Sequence, residues 1–122
     1  MNDFDQIREL ARHYCDGLYD GNVDLLAKIF HPKSRLHVIT DGKLAEIEQP
    51  AYLKIVAGRA SPRSLNAKRR EEIVSISITS PHAAVLTLNI LLTDKFYTDQ
   101  LALIKDEGKW QIMSKIYYLN PA

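Results

Sequence analysis

The sequence has a single cysteine, Cys15, and this scarcity excludes a disulfide bond within the chain. It contains no apolar run of about eighteen residues and no basic-then-apolar leader, so it predicts neither a membrane span nor an export signal. We therefore expect a cytoplasmic protein. Of the 122 residues, 46% are hydrophobic and 25% are charged, which is typical of one globular domain spanning residues 1–122.

A strong excess of charge of one sign is also absent, because the formal net charge is +1. A chain without an overall basic field is not expected to bind nucleic acid. The segment from Arg59 to Arg70 is locally basic, but it lacks interleaved aromatic residues and is followed by Glu71 and Glu72. We expect a solvated loop there, with binding of an anion or nucleic acid as the alternative.

No motif for holding a phosphate, a metal or a catalytic serine is present. The sequence has neither a glycine-rich phosphate loop nor a Gly-x-Ser-x-Gly segment. Metal-ligand spacing is missing among the four histidines, His13, His31, His37 and His82. His31 precedes a proline and is expected to contact a helix end, and Cys15 is expected to be a small buried hydrophobe. We therefore expect no metal and no cofactor.

Three segments have the spacing of amphipathic helices. Apolar residues recur every three and four positions from Asp3 to Tyr19, with Asp3 as the expected N-cap. A second helix is expected from Val23 to Phe30, where His31-Pro32 stops it because a residue before proline is disfavoured in the helical region. A third is expected from Pro50 to Ala57 and is followed by a glycine.

Strands follow the third helix, and one short hairpin precedes it. Asp41-Gly42 is a tight-turn signal between strands at 36–40 and 43–47. After the basic loop, four strands joined by short turns are expected at 71–79, 83–93, 96–105 and 109–118. Helices followed by antiparallel strands indicate an α+β fold. We expect the helices to pack on the concave side of a strongly curved, antiparallel or mixed sheet and to leave an interior pocket.

The last two strands define the candidate pocket. Three loop residues, Asp106-Glu107-Gly108, suit a type I turn closed by a left-handed glycine, and this register places Asp99 opposite Lys115. One face of the hairpin then carries Tyr97, Asp99, Leu101, Leu103, Gln111, Met113, Lys115 and Tyr117. An acid and a lysine on an otherwise apolar face are either a structural ion pair or the polar end of a ligand site.

The other face of this hairpin is apolar as well. It carries Ala102, Ile104, Trp110, Ile112 and Ile116. Because a large apolar face is rarely left in water, we expect a second copy of the chain to cover it. The sequence therefore predicts a homodimer through the outer sheet face, with Trp110 as a hydrophobic anchor.

Several of these segments resemble a known superfamily. They are the run from Tyr14 to Phe30 with His31-Pro32 after it, the helix after Pro50, and the segment Tyr97-Thr-Asp-Gln-Leu-Ala-Leu-Ile-Lys-Asp-Glu-Gly-Lys-Trp-Gln-Ile-Met-Ser-Lys115. Together they resemble the nuclear-transport-factor-2-like superfamily and, within it, the branch named "putative lumazine-binding". The resemblance covers nearly the whole chain. It implies a cystatin-like, cone-shaped α+β half-barrel with an interior pocket, usually as a dimer.

The resemblance does not select an activity, because this superfamily includes isomerases, dehydratases, cyclases and non-catalytic binding proteins. The chain is more distantly similar to steroid-isomerase-like and polyketide-cyclase-like proteins. By position, Tyr14 and Asp99 match the tyrosine and the protonated aspartic acid of the isomerase oxyanion hole. The isomerase base is a carboxylate on the first strand, where this chain has His37 and no acid. A lysine beside Asp99 would also favour an ionised carboxylate, which cannot donate to an oxyanion.

Two functions remain open. The first is a small-molecule binding protein that holds an apolar or aromatic ligand between the first helix and the sheet, with its polar end near Asp99 and Lys115. The expected lining is Tyr14, Leu18, Phe30, Tyr52, Ile55, Tyr97, Asp99, Leu101, Met113, Lys115 and Tyr117. The alternative is an isomerase or cyclase acting on an enolisable ketone, with Tyr14 and Asp99 at the oxyanion and His37 or Asp99 moving the proton. A protein-binding adaptor is a third possibility.

Overall fold

Within residues 1–121, three helices and six strands follow one another in the order that the sequence predicts, and the fold is α+β. The structure is a computed structural model that describes residues 1–121. Its helices are α1 (Asp3–Asp20), α2 (Val23–Ile29) and α3 (Gln49–Gly58), with a short 3-10 turn at Arg63–Leu65. Its strands are β1 (Phe30–Thr40), β2 (Lys43–Glu48), β3 (Glu71–Ser80), β4 (Ala83–Leu92), β5 (Lys95–Asp106) and β6 (Lys109–Leu119).

The first helix is capped differently from the sequence prediction. Asn2, and not Asp3, is the N-cap, because its side-chain oxygen accepts a hydrogen bond from the backbone N–H of Asp5 at 2.8 Å. The carboxylate of Asp3 is used elsewhere and accepts hydrogen bonds from Lys105 Nζ at 2.9 Å and Trp110 Nε1 at 3.1 Å. Asp3 therefore fastens the start of α1 to the last hairpin.

The sheet is mixed, and its strand order is β2-β1-β6-β5-β4-β3. Among the described residues, neighbouring strands are antiparallel except for β1 and β6. These two strands pair in parallel although they lie far apart in the sequence. The last strand therefore lies between the first strand and β5, near the middle of the sheet. α1 lies across β3, β4 and β6, and α3 lies over β1 and β2.

The core lies between the three helices and the concave sheet face. α1 buries one face, which includes Ile7, Leu10, Tyr14 and Leu18, against inward residues of β4 and β5. Gly17 brings α2 close to α1, since a Cβ atom there would lie 2.8 Å from a methyl carbon of Leu26. A larger residue at that position would push the two helices apart.

The final hairpin has a tighter turn than the sequence predicts. Glu107 and Gly108 alone form the turn, with φ of 51° and 76°, so Asp106 pairs with Lys109. This is a two-residue connection of the kind that fits the twist of paired strands. The pairing shifts again at a β-bulge, where Leu103 pairs with Ile112 and Ala102 with Ser114. Met113 is thus the extra residue of the bulge.

These two shifts correct the predicted faces of the hairpin. A one-residue slip moves each side chain to the opposite face, so Trp110 and Ile112 point into the core and are 4% and 0% exposed. Their assignment to the outer face is wrong. The bulge at Met113 slips the register once more, and Lys115 and Tyr117 return to the predicted inner face.

The outer sheet face keeps a smaller apolar patch than predicted. Val85 on β4, Ala102 and Ile104 on β5, and Ile116 on β6 are exposed there. Dimerisation through this face stays a prediction, now without Trp110 and Ile112. The centre of the patch lies where β4, β5 and β6 pair.

We expect Ile116→Glu to convert a dimer into a monomer, because it would place a charge in the middle of a buried apolar contact. Leu44→Glu is the matched control, since Leu44 is also exposed but lies on the edge strand β2. Sedimentation velocity at micromolar concentration separates the two species. A wild-type chain that already sediments as a monomer would rule out this interface.

Candidate functional site

Two charged side chains of the last hairpin point into the protein interior. Asp99 on β5 is 2% exposed and Lys115 on β6 is 5% exposed. Because of the bulge they are not directly opposite each other: Asp99 pairs with Tyr117, and Lys115 pairs with Leu101. They are diagonal neighbours on the inner face, and the long lysine side chain spans the gap, with Nζ 3.7 Å from Asp99 Oδ2.

Tyr14 connects the first helix to this pair. Its hydroxyl donates a 2.5 Å hydrogen bond to Asp99 Oδ2, and the ring is fully buried. Burial, together with the neighbouring Asp99 carboxylate, raises the pKa of the Tyr14 phenol well above its usual value. The phenol is therefore a firm hydrogen-bond donor at neutral pH and stabilises the carboxylate on that oxygen.

Lys115 is held in a cage of aromatic rings. Its Nζ lies 5.2 Å from the ring centroid of Tyr14, 4.9 Å from that of Tyr52 and 5.2 Å from that of Tyr117. It also donates a 3.2 Å hydrogen bond to the Tyr52 hydroxyl. Burial by itself would lower the pKa of Lys115, but the attraction of Asp99 and the contacts with Tyr52 outweigh it and raise the pKa. The group is an ammonium ion at neutral pH.

A cavity of about 100 Å³ lies beside these charges. Its walls come from β2, α3 with the residue after it, β4, β5 and β6, and the lining residues are Ile47, Tyr52, Ile55, Arg59, Leu92, Tyr97, Asp99, Lys115 and Tyr117. A cavity of about 150 Å³ is known to hold one benzene ring, so this one accepts a small head group or part of a ring. Tyr97 and Tyr117 pack edge to face on its wall, with centroids 6.0 Å apart.

The polar groups beside the cavity have unused hydrogen-bonding capacity. Within residues 1–121, Asp99 Oδ1 is buried and has no hydrogen-bond partner. An ammonium ion has three N–H donors, and within the same residues Lys115 uses one of them in a hydrogen bond, to Tyr52. Two residues that line the cavity therefore keep a free acceptor and unused donors, and a buried group left in this state is costly unless a ligand or water satisfies it.

The predicted lining residues divide into three groups. Tyr52, Ile55, Tyr97, Asp99, Lys115 and Tyr117 line the cavity. Tyr14, Leu18, Phe30 and Leu101 are at most 1% exposed and belong to the packed core instead, while Met113 is the half-buried extra residue of the bulge. Ile47, Arg59 and Leu92 line the cavity but were not expected. The cavity thus lies under α3. Tyr14 does not line it and is connected to it by the hydrogen bond from its hydroxyl to Asp99.

His37 does not face the cavity, so its assignment as a candidate base is wrong. It lies on β1 between the inward Leu36 and the half-buried Val38, and its Nε2 is 3.7 Å from Glu46 on β2. Arg35, two residues earlier on the same side of the strand, also binds Glu46. The histidine belongs to an exposed ion-pair cluster on the far face of the sheet.

The remaining candidate residues have contacts that suit a structural role. Burial raises the pKa of the Cys15 thiol to about 12, which removes it as a nucleophile at neutral pH. His31 Nε2 lies 3.3 Å from Asp106, and its Nδ1 accepts from the backbone N–H of Lys33. No group of three or more His, Cys, Asp or Glu side chains in the described residues is placed to hold a metal. Within residues 1–121, no helix is both long and apolar enough to cross a membrane.

A larger open groove, of about 540 Å³, lies between α1 and β3. Its walls carry a mixture of acidic and basic side chains, including Arg8, Arg12 and Glu72. The buried charges and the unpartnered carboxylate oxygen lie beside the smaller cavity, and chemistry depends on such groups more than on volume. The smaller cavity is therefore the candidate site.

We expect Lys115→Met to lower the free energy of unfolding by about 3–5 kcal/mol, because it leaves the Asp99 carboxylate buried without its cation. Adding Asp99→Asn should recover at least half of that loss, since the uncompensated charge is then removed. Lys105→Met is the control: this partly exposed lysine pairs with Asp3 and should cost about 1 kcal/mol or less. Urea denaturation of these proteins and of Asp99→Asn alone completes the cycle, and strictly additive losses would contradict the coupling.

Several known proteins are similar to this chain. "Aldolase FrzH" from Cladobotryum sp is 23% identical over 122 residues, with 98% of this chain and 94% of that protein aligned. An NTF2-like protein of unknown function from Shewanella baltica has a TM-score of 0.88 at 22% identity, covering 98% of this chain and 95% of its own. A ketosteroid isomerase-like protein from Erwinia carotovora atroseptica has a TM-score of 0.77 at 13% identity, covering 100% of both chains.

At these identities the solved structures show the fold alone, which this chain shares with NTF2-like proteins. The family assignment comes from the sequence itself. A family profile with the description "Putative lumazine-binding" matches residues 2–118, which is nearly the entire chain. This chain is therefore a member of the putative lumazine-binding family.

Proposed function

We propose that this protein binds a small organic molecule through a head group that carries a hydrogen-bond acceptor next to a donor. The acceptor, such as a carbonyl oxygen, takes an N–H of Lys115, and the donor, such as an amide N–H or a hydroxyl, bonds to Asp99 Oδ1. Lactams, amides and enolic ketones have this arrangement. The observation that carries the proposal is the unpartnered oxygen of a fully buried carboxylate at the wall of a cavity.

The surroundings of the two charges support binding over a purely structural role. A structural ion pair is best satisfied when the ammonium bonds directly to the carboxylate. Here Lys115 Nζ and Asp99 Oδ2 are 3.7 Å apart, which is beyond hydrogen-bond distance, and Tyr14 and Tyr52 take the bonds instead. The tyrosines therefore hold both charges in place while leaving donors and an acceptor available.

The size of the cavity limits how the ligand sits. Ligand sites that enclose a drug-sized molecule measure about 300–1,000 Å³. A cavity of about 100 Å³ can take the head group and adjoining atoms, so the rest of a larger ligand has to extend past Ile55 and Arg59 at the end of α3. A bicyclic ligand would enter fully only if α3 moved outward.

We expect benzamide to stabilise the protein more than acetophenone, and acetophenone more than toluene. Benzamide offers both a hydrogen-bond donor and an acceptor, acetophenone offers an acceptor alone, and toluene offers neither. At about ten times its dissociation constant a ligand adds about 1.4 kcal/mol to the free energy of unfolding. Asp99→Asn should reduce the preference of benzamide over acetophenone, because a neutral amide oxygen is a weaker acceptor than a carboxylate. Differential scanning fluorimetry and ligand-observed NMR give the ranking, and equal effects of the three probes would contradict a polar head-group site.

Catalysis of enolisation is the second candidate, and one observation favours it. Asp99 keeps one carboxylate oxygen, Oδ1, without a partner, and the Lys115 ammonium lies 3.7 Å from the other oxygen, Oδ2, so the carboxylate can accept a proton from carbon while the ammonium holds the developing enolate oxygen. In this step the α C–H bond breaks, its proton moves to Asp99 Oδ1, and the electron pair moves to the carbonyl oxygen. The name of the similar protein, "Aldolase FrzH", is consistent with enolate chemistry on this fold.

This second function predicts that the protein exchanges the methyl hydrogens of acetophenone for deuterium in D₂O, as followed by proton NMR. A positioned base typically contributes about 10²–10⁴-fold, so Asp99→Asn should lower the exchange rate by at least that lower factor. His37→Ala is the matched control and should leave the rate unchanged, because His37 lies on the far sheet face. Exchange that persists in Asp99→Asn would eliminate this mechanism.

A further inference from the structure

The basic segment between α3 and β3 contains one arginine whose position differs from the others. Arg63 bonds to Asp20 at 2.6 Å, Arg69 bonds to Asp16 at 2.8 Å and to Glu71 at 2.9 Å, and Arg70 lies 3.8 Å from Glu72. These four carboxylates neutralise the three arginines on the surface, so most of this basic loop is a solvated ion-pair network. The expectation of a solvated loop describes these residues well.

Within the described residues, Arg59 makes no ion pair and no side-chain hydrogen bond, and it lines the candidate cavity. It follows directly after the last residue of α3, where it is exposed. Lys68 is the other unpaired basic residue of the segment, but it does not line this cavity within residues 1–121. Arg59 is thus an uncommitted guanidinium at the edge of the site.

The cavity has its charges at two ends. Lys115 and Asp99 lie at the buried end and nearly cancel each other. Arg59 lies at the exposed end, and its positive charge has no protein carboxylate beside it among the described residues. A planar guanidinium with five N–H donors suits a carboxylate or another planar anion. Ile55 and Leu92 supply apolar lining.

We infer that Arg59 selects ligands that carry an anionic group, in particular a carboxylate, at the end opposite the head group bound by Asp99 and Lys115. This inference rests on the proposed binding function and specifies its ligand class: a small apolar or aromatic molecule with a neutral donor–acceptor head and an acidic tail. The tail stays at the solvent boundary, which agrees with the limited volume of the cavity.

The test uses two probes that differ in one group. 4-Carbamoylbenzoate has an amide head and a carboxylate tail, and terephthalamide has amides at both ends. We expect the wild-type protein to bind 4-carbamoylbenzoate about two- to fivefold more tightly, the range for an ion pair near the surface. The preference should shrink at 0.5 M salt, because salt screens exposed charges. Isothermal titration calorimetry or ligand-observed NMR gives both dissociation constants.

Arg59→Gln should make the two probes bind equally, and Arg59→Lys should keep part of the preference. Lys54→Gln is the matched control, because it removes the same charge from an exposed position of α3 outside the cavity lining. If the preference survives in Arg59→Gln, or falls equally in Lys54→Gln, the role of Arg59 is refuted although the site stands. If neither probe binds the wild-type protein, the proposed binding function is itself overturned.

Discussion

The buried contact of Tyr14, Asp99 and Lys115 is the constraint on which the site depends. Two opposite charges in a hydrophobic interior are costly to desolvate, and they persist only where further hydrogen bonds and aromatic rings compensate them. Here that compensation comes from three elements, with Tyr14 on α1, Tyr52 on α3 and Tyr117 on β6. The charges therefore fix how both helices sit on the sheet. The same arrangement leaves one carboxylate oxygen and part of the ammonium without partners, and this is what makes the cavity beside them suited to a polar head group.

Most of the fold could be predicted from the sequence because its signals are local. Helical spacing and Asp41-Gly42 mark the helices and the first turn directly, and the last turn lies within the predicted loop Asp106-Glu107-Gly108. The strand ends differ from their predicted bounds by at most one residue, except that β1 begins at Phe30 and not at residue 36. The pairing of β1 with β6 could not be predicted from such signals, since it joins distant segments in parallel. Asn2 rather than Asp3 as the N-cap was also beyond a local prediction, because the competing partners of Asp3 lie about a hundred residues away in the sequence.

The candidate site was predicted in part, and for a reason that shows the limits of periodicity. The predicted register was wrong by one residue at the turn and by one more at Met113. The two shifts together return Lys115 to its predicted face, although it is diagonal to Asp99 rather than opposite it, whereas Trp110 and Ile112 lie between the shifts and change face. A bulge has no reliable sequence signal, so only the structure reveals which residues lie between the two shifts. Arg59 and His37 illustrate the same limit, because a loop residue and a strand residue cannot be assigned to a cavity before the neighbouring elements are placed.

The position of β6 between β1 and β5 has a consequence for biosynthesis. During translation the chain emerges in order, so β6 comes after every other strand of the sheet. Until it inserts, β1 and β5 both present open edges of unpaired backbone groups, and Asp99 lacks the cation that balances it. A nascent chain at that stage is vulnerable to association with other chains. The strand that carries Lys115 is thus also the one that closes the sheet, and folding and assembly of the site are completed in the same event.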